Sequence, residues 1–148
     1  MPVKDNLASV AFHFQEPLPS LKDRIKLKAF LLNMFKKEAV KVSSLQYIFC
    51  SDEYLLDINK QFLQHDFYTD IITFNLAEKN TPVAGEIYIS VDRVKDNAGS
   101  LNQSFKRELH RVIFHGVLHL CGYKDKNRKQ EAEMRAMEDK YLSLYFKK

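Results

Sequence analysis

Between Val112 and Cys121 every residue is apolar or glycine except His115 and His119. A helix apolar on all sides belongs inside a protein, so the rest of the chain must supply layers that cover it. Ser104 stands where an N-cap is needed, and FKRELHR leads from it into the apolar run. The two histidines are four residues apart and share one helix face, with Cβ atoms about 6 Å apart. Each ring brings two nitrogens that need partners in a dry place. One metal ion satisfies both, and zinc suits two imidazoles.

Gly122 can end the helix in a left-handed turn. That turn swings Asp125 back toward the imidazoles, giving the pattern H-x3-H-x2-G-x2-D. The expected metal ligands are His115, His119 and Asp125. Three protein ligands leave a fourth position for a water of lowered pKa, which reads as a hydrolytic centre rather than a closed structural one. Cys121 lies about 200° round the helix from His119 and is read as core. His110 falls off the ligand face and is assigned a supporting or surface place. Glu108 shares that face and is positioned to reach an imidazole N–H.

The covering layers can be read from the remaining 148-residue chain, of which 45% is hydrophobic. Ser9 to Gln15 alternates as a strand, and Pro17 and Pro19 break it. From Ser20 the spacing of Leu21, Ile25, Leu27, Phe30, Leu31 and Met34 predicts a helix. Val42 to Cys50 reads as a second strand, with Ser51 or Asp52 capping the helix YLLDINKQFL. ITFNL is a third strand and EIYISV, opened by Gly85, a fourth. A short helix from Asp92 to about Leu101 precedes the histidine helix, and a last helix spans roughly Lys129 to Phe146. The expected fold is α+β, one mixed, roughly four-stranded sheet packed with four or five helices. The metal site then sits on a buried helix near the C-terminus. Residues 1–148 are expected to form a single domain. With no apolar run long enough for a signal peptide or a membrane span, the chain reads as soluble, cytoplasmic and free of membrane partners. Cys50 and Cys121 then read as reduced thiols.

Net charge is +4. Much of the basic excess lies on the first predicted helix, where Lys22, Lys26 and Lys28 offer a surface that could follow a polyanionic backbone. The plainer reading is a solvated helix face.

The runs HGVLHLCGYKD, ELHRVIF and EAEMRAMED resemble the YbeY-type bacterial rRNA maturation endoribonucleases, whose signature is H-G-x-L-H-L-x-G-Y-D-H. Upstream, INKQFLQHDFYTDIITFN and GEIYISVDRVKDNA are similar to further segments of that family, so the likeness spans the chain from about Ile58. The resemblance implies a metal-dependent hydrolase that cuts single-stranded RNA. It further implies action in maturation of the small-subunit rRNA 3′ end and in ribosome quality control, with rRNA and the small ribosomal subunit as partners. By position His115 and His119 match the first two metal-binding histidines. The third falls on Asp125, an acceptable oxygen ligand, and the family's Asp before it on Lys124. The family's active-site Arg falls on Leu63, which removes an obvious stabiliser of phosphoryl charge.

Two other readings compete. A metzincin-type zinc protease has the same ligand spacing, but its general-base Glu would stand at Gly116. A ribosome-associated binding factor, stabilised by metal and with little catalysis, is kept open by Leu63. No residue is assigned as general base: the metal-bound water itself, or Glu86, Asp70 or His65, are the candidates.

Overall fold

The structure, a computed structural model, describes residues 8–147. Its sheet is built from four strands: β1 (Ser9–Phe14), β2 (Val42–Cys50), β3 (Ile71–Asn75) and β4 (Val83–Ser90). The spatial order is β1-β2-β4-β3. β2 runs parallel to both β1 and β4, while β3 pairs antiparallel with β4 at the edge, Ile71 opposite Ile89 and Asn75 opposite Gly85. Five helices complete it: α1 (Arg24–Lys37), α2 (Asp52–Leu63), α3 (Val91–Ser100), α4 (Phe105–Leu120) and α5 (Arg128–Tyr145). The α+β class, with one mixed four-stranded sheet and five helices, is the one expected.

Alternation along the strands divides the apolar residues between two faces. Leu45, Tyr47 and Phe49 of β2 join Ile87 and Ile89 of β4 against α1, α4 and α5. On the other face Ile72, Phe74 and Tyr88 pack with Leu55 and Ile58 of α2. α4 is the histidine helix, capped by Ser104, whose side chain accepts a hydrogen bond from the Arg107 N–H. It lies very close to the sheet. A Cβ added at Gly116 would come within 2.7 Å of Ile87 Cδ1. Tyr47, buried in the sheet, donates from its hydroxyl to the Ile113 carbonyl at 2.6 Å, which ties the helix backbone to β2.

Several local expectations need correction. α1 begins at Arg24, not near Ser20, because Asp23 adopts a left-handed conformation (φ 55°) and Leu18 and Leu21 turn into the core ahead of it. Lys22 therefore lies outside the helix. Ile25, expected on the apolar face, is 86% exposed, and Phe35 is buried instead. Of the two places open to His110, the surface one is excluded: it is buried, its Nδ1 bonds to the Lys106 carbonyl at 2.7 Å and its ring stacks on Tyr145. Among the described residues no helix is long and apolar enough to cross a membrane.

Candidate active site

α2 and α4 lie on opposite faces of the sheet, yet both reach its β3 edge, and a cavity of about 310 Å³ opens between them there. His115, His119 and Arg111 of α4 line it, with Asp125 from the loop after α4. Asp70, Ile71 and Thr73 form the strand side, and Leu63, His65 and Phe67 the opposite wall. The His115 and His119 ring centroids are 5.7 Å apart, as helical spacing requires. Gly122, with φ of 105°, turns the chain after α4 and brings Asp125 Oδ2 to 3.5 Å from His115 Nε2.

Each histidine is held through its Nδ1. His115 Nδ1 bonds Glu138 Oε2 of α5 at 2.6 Å, and His119 Nδ1 bonds the Tyr123 carbonyl at 3.0 Å. With Nδ1–H donating, Nε2 of each ring carries its lone pair, the arrangement that suits a metal-binding imidazole. Among the described residues no three His, Cys, Asp or Glu side chains are gathered tightly enough to form a ready-made ion cage. Asp125 is the loose member, with 42% of its side chain exposed on the loop. The donor set is nonetheless the right chemistry for zinc: two oriented imidazoles and a carboxylate within one cavity. Among the described residues Thr73 Oγ1, a buried side-chain oxygen, has no hydrogen-bond partner, and Thr73 lines the same cavity.

Behind the histidines lies a buried charge cluster that sequence reasoning missed. Arg111 donates from Nε to Glu108 Oε1 at 2.9 Å and from Nη1 to Glu138 Oε1 at 3.1 Å, and its Nη2 also reaches Glu108. Asp70 lies 3.8 Å away. Glu108 thus serves Arg111, and Glu138, in place of Glu108, supports the imidazole. Burial alone would raise the Glu138 carboxyl. The His115 hydrogen bond and the Arg111 charge instead hold it below the usual carboxylate range. Burial pushes Asp70 above its ordinary value, although Arg111 and His115 pull the other way. The signal for Glu138 was present as an acidic residue on the inner face of the last helix, but its partner lies on a different element.

The remaining expected residues are dispersed. His65 lines the cavity and stacks on Phe67. Glu86 points to the opposite face of the sheet, where it accepts a hydrogen bond from Tyr88 and lines a separate pocket with residues of α2. Lys22, Lys26 and Lys28 do not line the cavity. Lys26 and Lys28 lie over the Tyr145 and Phe12 rings, 4.6 and 5.6 Å from their centroids. Cys121 faces another pocket with Glu38 and Tyr123, and burial pushes its thiol up to about 12.

Residues 17–145 match the family described as Endoribonuclease YbeY. An Endoribonuclease YbeY of Cytophaga hutchinsonii is 52% identical over 134 residues, covering 90% of this chain and 94% of its own length. One from Porphyromonas gingivalis is 49% identical over 127 residues, 86% of this chain and 83% of that protein. A solution structure of a Thermotoga maritima protein superposes with a TM-score of 0.65 at 34% identity, covering 93% of this chain and 89% of that one. The chain belongs to the endoribonuclease YbeY family.

Proposed function

We propose that this protein is a metal-dependent endoribonuclease that cuts single-stranded RNA. Its place would be in the cytoplasm, in 3′-end maturation of the small-subunit rRNA and in ribosome quality control, with rRNA and the small ribosomal subunit as partners. Residues 1–148 would form its one catalytic domain. The observation that carries the reading is the convergence of His115, His119, Asp125, Asp70 and Arg111 on one cavity in a chain of this family.

His115, His119 and Asp125 would hold one zinc or another divalent transition ion. Bound there, such an ion polarises a phosphoryl oxygen and acidifies water. The chain's own groups do the rest. Glu138 and the Tyr123 carbonyl fix the ring orientations. Asp70, whose proton affinity is raised by burial, is the carboxylate of the cavity best placed to accept a proton from an attacking water. Glu86, on the other face, is not.

Leu63 favours a second reading, a binding factor with little catalysis. It stands in the cavity wall where the resembling family carries Arg, and the neighbouring Arg111 is already engaged by carboxylates. The protease reading has no such support. Position 116 is glycine, so the metzincin general base is absent, and a Cβ there would already press to 2.7 Å on Ile87 Cδ1.

The test is cleavage of an unstructured RNA and its duplex by purified protein, before and after chelation. Cleavage of the single strand alone, lost on chelation and restored by zinc, is expected. Full zinc occupancy with no cleavage decides for the binding factor, and cleavage untouched by chelation overturns both.

A further inference from the structure

The wall of the cavity opposite α4 carries an aromatic pair that the hydrolytic groups do not explain. His65 and Phe67 stack with ring centroids 5.0 Å apart and planes 19° from parallel. Phe67 remains 56% exposed while lining the same cavity as His115 and His119.

The segment that presents this pair is tied down on both sides. Gln64 ends α2 in a left-handed conformation (φ 57°), and the His65 N–H donates to the Asn59 carbonyl at 3.1 Å. Asn59 is itself buried and donates from Nδ2 to the Phe67 carbonyl at 2.8 Å. Next to it, the Tyr68 hydroxyl bonds Glu53 at 2.9 Å and the Arg93 guanidinium lies 5.1 Å from the Tyr68 ring. A buried amide that anchors a backbone carbonyl restrains the phenyl ring without burying it. Exposed aromatic area is unfavourable in water, and Phe67 belongs to neither packed core cluster.

We propose that Phe67, backed by His65, is the stacking platform for the base of a nucleotide adjoining the scissile phosphate. The proposal rests on the endoribonuclease reading and names the subsite that would make it selective for single strands. A nucleobase is the ligand with a large π-face beside a phosphate, and stacking on an aromatic side chain is tolerant of sequence. In a duplex that face is covered by neighbouring bases, so engagement of Phe67 requires a strand already unstacked. Leu63 lines the same cavity and adds apolar surface to that wall.

The test uses the metal-loaded enzyme, wild type and Phe67→Leu, on a short oligoadenylate, with a methylphosphonate-linked oligoadenylate as the uncleaved binding probe. Because Phe67 is exposed, the variant's melting temperature should match the wild type. Loss of one base–aromatic stack should raise KM and the probe's Kd about tenfold, with kcat little changed, and Phe67→Trp should restore both. An abasic nucleotide should then be scanned through the substrate. At one position flanking the cut it should reduce wild-type efficiency to that of Phe67→Leu and leave the variant unaffected. A Leu variant that binds and cuts like wild type, or an abasic effect that simply adds to the mutation, overturns the platform while leaving metal-dependent cleavage intact. Binding of the probe through Phe67 without any cleavage of RNA would instead count against the nuclease reading and leave the platform standing. A wild type that does not bind the probe at all overturns the platform outright.

Discussion

Glu138 Oε2 lies 2.6 Å from His115 Nδ1, across the gap between α5 and α4, on a carboxylate that is almost wholly buried. The same carboxylate receives Arg111 through its other oxygen. One side chain therefore sets the tautomer and the orientation of the imidazole and neutralises a buried guanidinium.

Glu138→Gln should weaken metal binding about tenfold or more, the range seen when the partner of a metal-binding histidine is altered. Competition against a chromophoric chelator measures it. Unchanged affinity would show that α4 alone orients His115.

The proposed ligands should separate by strength. His115→Ala and His119→Ala are each expected to abolish stoichiometric metal. Asp125→Ala should weaken it at least tenfold, about 1.4 kcal/mol, because its half-exposed loop holds it less firmly. Elemental analysis after gel filtration reads both, and wild-type metal content in the Asp125 variant would remove it from the coordination shell.

Leu63 lines the cavity and is 40% exposed, so a longer side chain has somewhere to go. Leu63→Arg should raise kcat on single-stranded RNA by supplying a fresh guanidinium to the phosphoryl group. A rate that stays flat while the protein remains folded would mean that the charge is supplied from elsewhere.

Reversing Lys22, Lys26 and Lys28 to Glu should weaken RNA binding and flatten its dependence on salt, if these side chains follow the strand beyond the cavity. Titrations at several ionic strengths give the slope. An unaltered slope assigns them to the fold, where two of them already sit over aromatic rings.

His110 offers a test on stability alone. Burial lowers its pKa from the ordinary 6.5, with Lys106 and Lys26 nearby acting in the same direction, against the hydrogen bond to the Lys106 carbonyl. The folded state therefore refuses a proton that the unfolded chain accepts. Its contribution is fully present above 6.5 and is lost as pH falls below that value. The melting temperature of His110→Phe should fall less steeply than that of wild type between about pH 7 and pH 5. Parallel curves would contradict the assignment.

What could be read in advance follows from range along the chain. Strand alternation, the caps at Ser51 and Ser104 and the apolar α4 are local signals, and the elements they mark lie where those patterns put them. The spacing of His115, His119 and Asp125 is equally local, and the fold brings all three to one cavity. Relationships across elements were not legible. Glu108 was assigned to an imidazole and serves Arg111, since Glu138 comes from α5 and no spacing rule links it to His115. Glu86 differs from its neighbours by strand parity, which puts it on the other face from the histidines. The start of α1 was misread because Asp23 takes a conformation that its residue type rarely announces.

The junction between the histidine helix and the loop that carries Asp125 is Gly122, where an added Cβ would meet nothing within 4 Å yet φ is 105°. Space is not the constraint there; handedness is. At Gly116 a methyl of the ordinary hand would come within 2.7 Å of Ile87 Cδ1, so volume is what limits that position. At Gly122 the same methyl has room, but the backbone follows the path natural to a mirror-image amino acid. Glycine is the only encoded residue without a hand, so the two halves of the site are joined at the one point where an achiral link suffices.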